Sequence, residues 1–360
     1  YPAITKTFLK MIVATVKEKN EFENRVSITP DTCKSYIKAG LDVIIEKNAG
    51  SNASFTDNVY EDSGAKVLDR EQVLQKADIL ISVSTILENS DLEILKNKSI
   101  IVGGFNPYEN SNKIKKIIGK DLSFISLDFL PRISRAQSMD ILSSQANLAG
   151  YKAVIEASSI FKKALPMMMT AAGTIIPAKC LILGAGVAGL QAIATAKRLG
   201  CVVSAFDVRP EVEEQVNSLG AKFVKVEDET NTKEDQTVYA KEMSEDYKKK
   251  QLKAIHDVAI NMDIIISTAL IPGKKAPLLI KSNTITQMKS GSILIDLASS
   301  SGGNIEGSKI GEKVNINDCI IYAPRNLPSL IAYDASLLFS KNIFNFISNF
   351  ITENKTFDIE

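Results

Sequence analysis

The feature that most constrains this chain is a glycine-rich run in its middle, Leu183-Gly184-Ala185-Gly186-Val187-Ala188-Gly189-Leu190. A GxGxxG spacing alone is a weak signal. Here it follows an apolar run at 180–183, opens a helical segment reaching Leu199 with Gly200 as its stop, and is succeeded by a second apolar run at 202–206. Gly184 permits the tight turn, Gly186 lets a pyrophosphate approach the backbone, and Gly189 lets the helix pack closely on the strand. The helix N-terminus then offers free N–H groups to phosphate. A chain with this element must build a βαβ unit on a parallel sheet, and a dinucleotide is the ligand such a unit suits.

The second apolar run ends in Phe206-Asp207-Val208-Arg209, with Asp207 eighteen residues after Gly189. An acidic residue there accepts hydrogen bonds from the adenosine ribose hydroxyls and repels a 2′-phosphate. Two like charges about 4 Å apart interact by roughly 4 kcal/mol at an effective dielectric of ~20, so NAD(H) is expected over NADP(H). Arg209 tempers this, because an arginine near that position can serve a 2′-phosphate. Two further segments fall at carboxyl ends of expected strands, where open α/β sheets bind ligands: 267–273 (STALIPG) and Asp296-Leu297-Ala298. The expected cofactor contacts are Gly184, Gly186, Val187, Gly189, Asp207, Val208 and Arg209, with Thr268, Ala269 and Leu270 from the later loop.

At 360 residues the chain is too long for one ordinary α/β core. Apolar runs at 12–16, 43–45, 79–83, 100–102 and 124–127 alternate with helical segments, among them one opened by Pro30 and closed by Gly40. This reads as a first α/β domain. A second begins near Lys179, with strand-like runs at 180–183, 202–206, 222–226, 263–267, 292–296 and 320–322. The fold class expected is α/β: two doubly wound Rossmann-like domains joined by a long helix over 143–161, with a cleft between them. The amphipathic segment 335–351 would pack back on the first domain, giving 11–137 plus 327–360 as one domain and 138–326 as the other. Residues 227–250 are mostly charged and polar, and read either as a solvated loop or as a mobile lid beside the cofactor.

Composition excludes several classes. Forty-three Lys and Arg against 42 Asp and Glu give a net charge of +1, so nothing suggests a nucleic-acid surface. No run of eighteen apolar residues is present, so no membrane-spanning helix is expected within the chain. Cys33, Cys180, Cys201 and Cys319 form no CxxC pair and read as unpaired thiols in a reducing compartment. The one histidine, His256, is expected on a helix surface, which argues against a His-ligated metal site or a His-based triad, and no metal is expected. Residues 1–10 lack the layout of a signal peptide and read as a frayed terminus.

Polar residues crowd 131–140 (PRISRAQSMD), just before the long helix, where Ser138 or Asp140 could cap it. The stretch 131–153 closely resembles the loop characteristic of the NAD(H)-binding domain, of alpha-subunit type, in proton-translocating nicotinamide nucleotide transhydrogenases. The likeness continues through GAGVAGL at 184–190, FDVRPEVEEQV at 206–216, TALIPGKKAP at 268–277 and IDLASSSGGN at 295–304. It includes Glu23-Asn24-Arg25-Val26 and Asn326-Leu327-Pro328-Ser329, and it covers the chain from about Met11.

The resemblance implies an oxidoreductase component that passes a hydride directly from bound NAD(H) to NADP(H) on a partner domain, while a membrane domain couples the transfer to proton movement. It implies that Arg132 and Ser143 position the nicotinamide, that Gln137 contacts the nicotinamide ribose and reaches toward the partner, and that Asp140 completes the set. Tyr239 matches the family's mobile-loop tyrosine, although Val238 stands where the family usually has glycine. A homodimer is implied, with Phe339, Phe344 and Phe346 as candidates to line it. So is a place on the matrix or cytoplasmic side of a membrane-bound enzyme.

Alanine dehydrogenase is related and supplies the alternative. Its chemistry needs a basic residue for the substrate carboxylate, a lysine and a histidine. Arg25 matches the first, but 81–85 (ISVST) holds no lysine and 103–107 (GGFNP) no histidine. Arg25 is therefore expected to be structural. A non-catalytic NAD-binding regulatory module is the third reading, opposed by the intact Arg132, Gln137, Asp140 and Ser143 set.

Overall fold

The computed structural model describes residues 10–84, 87–118, 121–226, 245–271 and 273–352. The chain divides into two compact units, 1–145 with 328–360, and 146–327. Each is built on its own sheet.

The first unit contains β1 (Ile12–Thr15), β2 (Asp42–Glu46), β3 (Lys66–Leu68), β4 (Ile79–Ser82), β5 (Ile100–Gly103) and β6 (Ser123–Ser126). They lie in the order β3-β2-β1-β4-β5-β6, all parallel. This is the doubly wound order, with its switch point between β1 and β4. The inner strands read as near-continuous Ile and Val because both faces are covered, and every residue of β4 and β5 is buried. The edge strand β3 has no such signature: it is three residues long and begins with an exposed lysine, so no apolar pattern marks it.

The second unit contains a hairpin, β7 (Met168–Thr170) and β8 (Gly173–Ile175), and then β9 (Lys179–Leu183), β10 (Val202–Phe206), β11 (Lys222–Phe223), β12 (Ile264–Ser267), β13 (Ile293–Asp296), β14 (Lys313–Ile316) and β15 (Cys319–Tyr322). The main sheet runs β11-β10-β9-β12-β13-β15-β14. Its strands are parallel except β14, which pairs antiparallel with β15. β14 is polar and half-exposed, like many antiparallel edge strands, and carries no apolar run to betray it. The hairpin is exposed throughout.

The long helix spans Ile141–Ile160, two residues earlier than expected, because the Asp140 carboxylate caps it. Oδ1 accepts the Ser143 amide at 2.9 Å and Oδ2 the Ser143 hydroxyl at 2.6 Å. The polar segment 227–250 also needs correction: Glu245–Ala259 is helix. Its buried positions Gln251, Ile255 and Ala259 begin only past Lys250, so the segment up to that residue shows no apolar stripe. The C-terminal helix Ala332–Ser348 buries Phe339, Ile343 and Ile347 in the first unit's core beside Val26, Ile28 and Tyr36. This overturns the idea that Phe339, Phe344 and Phe346 line a dimer surface. Phe339 is interior, while Phe344 and Phe346 pack on the same core, Phe344 edge-on to Tyr36. Among the described residues no helix is long and apolar enough to cross a membrane, and no group of acidic, Cys or His side chains is arranged to hold a metal ion.

Candidate functional site

In the second unit the glycine-rich turn joins β9 to the helix Val187–Arg198 at the sheet's carboxyl edge, beside the β9/β12 switch point. Each glycine has a distinct physical need. Gly184 has φ +96°, and a Cβ there would lie 2.8 Å from the Thr268 hydroxyl oxygen. A Cβ on Gly189 would lie 1.8 Å from the Gly184 carbonyl oxygen, so helix and turn touch backbone to backbone. Gly186 is different: a Cβ there would meet nothing within 4 Å. Its bareness serves no contact within the protein and suits a ligand lying over the helix N-terminus. Val187, Val208 and Leu270, from loops after three neighbouring strands, are 42%, 45% and 52% exposed at the same edge. Apolar side chains beside a bare helix N-terminus fit the rings and pyrophosphate of a dinucleotide.

Asp207 follows β10 and ties it to the turn. Its Oδ2 accepts the Ala185 amide at 2.7 Å and its Oδ1 the Arg209 amide at 2.9 Å. The Arg209 guanidinium donates to both oxygens at 3.0 Å. Burial pushes the Asp207 carboxyl up, but the Arg209 guanidinium and the two amides outweigh it and hold the group below the usual carboxylate range. A carboxyl depressed in the folded state stabilises the fold above the unfolded value of about 3.9. That contribution is lost as pH falls through the folded value, so Asp207 is ionised throughout the neutral range. The four acceptor directions of the carboxylate are engaged. A ribose diol would therefore take the place of the guanidinium, whose side chain is half-exposed, and such a pair contributes only about 0–1 kcal/mol.

The loop after β12 is held from below by residues that sequence reasoning missed. Asn304 Oδ1 accepts the Ser267 hydroxyl at 2.7 Å and the Ala269 amide at 3.1 Å, while its Nδ2 donates to the carbonyls of Ala269 and Pro277. Asp296, fully buried at the end of β13, accepts the amides of Ala298, Asn304 and Ile305 and the Ser308 hydroxyl. The one signal for this network is the pair Gly302-Gly303, both at positive φ, since a Cβ on Gly303 would lie 2.9 Å from Asp296 Oδ2. Thr268 completes the link to the turn by donating to the Gly184 carbonyl at 3.1 Å.

In the first unit, Asp140 and Ser143 are joined by the cap. Arg132 and Gln137 lie before and within a 3-10 segment, Ser134–Met139, with both side chains exposed and no hydrogen bond to another described residue. Tyr239 and its neighbour Val238 lie outside the described residues. Arg25 is structural in character. It forms a bidentate pair with buried Glu23 at 2.6 and 2.7 Å, donates to Gln145 Oε1 at 2.7 Å and stacks over Phe339. Beyond β4, where the dehydrogenase chemistry would need a lysine, Glu18 instead accepts the Ser82 hydroxyl and the Val83 amide. His256 is half-buried rather than fully on the surface, with Nδ1 2.9 Å from the Thr284 hydroxyl.

Two doubly wound sheets, one carrying a complete dinucleotide fingerprint with an acidic end to its second strand, define a Rossmann-type nucleotide-dependent oxidoreductase. Comparison with known proteins narrows the class. Residues 14–149 match the N-terminal domain and 153–360 the C-terminal domain of the family described as alanine dehydrogenase/PNT, and the chain belongs to that family. It is 46% identical over 342 residues to the first of the alpha-subunit polypeptides of NAD(P) transhydrogenase in Rickettsia prowazekii, covering 94% of this chain and 89% of the relative. The crystal structure of a transhydrogenase from Sinorhizobium meliloti superposes with a TM-score of 0.84 at 39% identity, covering 94% of both chains. An L-alanine dehydrogenase shares the fold, with a TM-score of 0.78 at 20% identity over 94% of this chain and 89% of that one.

Proposed function

We propose that the chain is the NAD(H)-binding component of a proton-translocating transhydrogenase. The observation that carries this is the ionised Asp207 bound to the Ala185 amide at the fingerprint turn, in a chain whose relatives are transhydrogenase alpha subunits. The helix N-terminus at Gly186 and Val187 holds the pyrophosphate, and Asp207 holds the adenosine ribose. Val208, Arg209, Thr268, Ala269 and Leu270 line the same edge.

Arg132, Gln137, Asp140 and Ser143 serve the nicotinamide end. The Ser143 hydroxyl spends its proton on Asp140, which leaves its lone pairs free to accept an N–H from a carboxamide. Arg132 supplies the complementary donor, and Gln137 faces the ribose and the partner. Bound NADH supplies a hydride, which passes to NADP+ on a partner domain, and a membrane domain couples the exchange to proton movement. The transfer moves no proton at this chain, so positioning is what its residues contribute. The chain accordingly sits on the matrix or cytoplasmic face of a membrane-bound enzyme.

A homodimer belongs to the same reading. Met169 and Ile176, on and beside the hairpin, are 77% and 78% exposed, apolar surface that a second copy would cover. A solution mass of one chain would exclude it.

Two results test the proposal. NADH should bind much more tightly than NADPH, and Asp207→Ala should narrow the gap. Equal affinities in the unmodified chain would contradict the assignment of Asp207. With NADH, pyruvate and ammonium the chain should oxidise no cofactor above background, because Arg25 is already committed to Glu23 and Gln145. Addition of a soluble NADP(H)-binding domain should start transfer between the two nucleotide pools. Pyruvate-dependent oxidation by the chain alone would favour the dehydrogenase instead, and silence with both partners would leave only a binding module.

A further inference from the structure

The segment carrying Arg132 and Gln137 has few anchors. Of residues 131–138 only Ala136 is buried. Two side chains of the C-terminal helix converge on one atom of this segment: the Nδ2 groups of Asn342 and Asn345 donate to the Ser138 carbonyl oxygen at 2.8 and 2.9 Å. One turn further, Asn349 Nδ2 lies 3.4 Å from Met139 Sδ. Spacings of three and four place the three asparagines on one face of the helix, beside the buried stripe Phe339, Ile343 and Ile347.

Asn342 is a poor choice for stability alone. Its Oδ1 is buried with no hydrogen-bond partner among the described residues. An apolar side chain would avoid that unsatisfied acceptor. What the asparagine offers in return is the donor aimed at Ser138.

We infer that Asn342 and Asn345 are positioning residues for hydride transfer, fixing the Ser138 peptide and, through it, the orientation of Gln137 on one side and Asp140 on the other. This rests on the reading that Arg132, Gln137, Asp140 and Ser143 serve the nicotinamide end. Two donors on one carbonyl fix both the position and the plane of that peptide, which a single bond would leave free to rotate. The Gln137 carbonyl accepts the Asp140 amide at 3.3 Å, so the fixed peptide passes its geometry on to the helix cap. Misplacement by about 1 Å at a reacting centre is enough to slow a reaction by up to roughly 100-fold.

The test uses the full chain with a soluble NADP(H)-binding domain in excess. The double variant Asn342→Ala/Asn345→Ala should lower the maximal transfer rate roughly tenfold. NADH affinity and melting temperature should stay close to those of the unmodified chain. A readout independent of activity is available because the chain has no tryptophan. Ile133→Trp, at an exposed position in the segment, gives a single reporter whose fluorescence anisotropy should fall when the two asparagines are removed. Should the double variant fold poorly, Asn345→Asp keeps the size of the side chain while turning an acceptor toward the Ser138 carbonyl, with the same expected losses. Unchanged rate and unchanged anisotropy would overturn the inference, and so would equal losses of affinity, rate and melting temperature. If Arg132→Ala leaves the rate intact, the nicotinamide assignment itself fails. If Arg132→Ala slows transfer and the asparagine variants do not, only the positioning inference fails.

Discussion

Replacing Gly189 by alanine should abolish measurable NADH binding and lower the melting temperature of the second unit. The added Cβ would sit 1.8 Å from the Gly184 carbonyl oxygen and 2.8 Å from its carbonyl carbon. Both are backbone atoms of the tight turn, so no side chain can swing aside. The helix would have to move off the strand by about an ångström or more, and overpacking against backbone costs about 3 kcal/mol or more. For a unit of this size that is roughly 6–12 °C in melting temperature. Gly186→Ala is the informative contrast, since its Cβ would meet no protein atom within 4 Å and its φ of −79° suits any residue. It should leave the melting temperature unchanged and still weaken NADH binding, because the methyl group occupies the pyrophosphate's approach. Thermal unfolding and an NADH titration of the two variants check both statements. Normal NADH binding by Gly189→Ala would mean that the turn is not the dinucleotide site.

The next largest effect is expected at Arg132 and Gln137. Arg132→Ala or Gln137→Ala should slow hydride transfer by one to three powers of ten, equivalent to roughly 1.4–4 kcal/mol. NADH affinity should fall far less, because the adenosine and pyrophosphate anchors at Asp207 and Gly186 belong to the other unit. Single-turnover transfer to a soluble NADP(H)-binding domain, measured beside the NADH titration, separates the two quantities. A variant that lost affinity and rate in equal proportion would place these side chains among the general binding contacts.

Burial periodicity explains which elements are legible in the sequence. Strands β4, β12 and β13 have every residue buried, so water-avoiding side chains must occupy nearly every position and the sequence declares them. β3, β14 and the hairpin strands lie at edges or in solvent, where one face or both can be polar, and the same test passes over them. The helix Glu245–Ala259 is half hidden for a related reason: its first turn is polar and charged and faces water, and its apolar stripe starts only later.

By itself, then, the sequence determined the local chemistry. Gly184 and Gly189 could be read because a turn and a helix so close in the chain must pass within backbone contact, a constraint local enough to be written as a spacing. The same holds for Asp207, placed by the length of one helix and one strand. The supports of those groups were decided only by tertiary structure. Asn304 grips the Ala269 loop across 35 residues of chain, and Asp296 holds the backbone that presents it. Arg25 meets Gln145 across 120 residues, and Asn342 reaches Ser138 across 204. No periodicity encodes such partners, because a neutral amide or a carboxylate has the same signature on a solvated surface as inside a network. Only the closing of each unit around its own core shows which polar side chains face water and which hold the residues expected to carry out the chemistry.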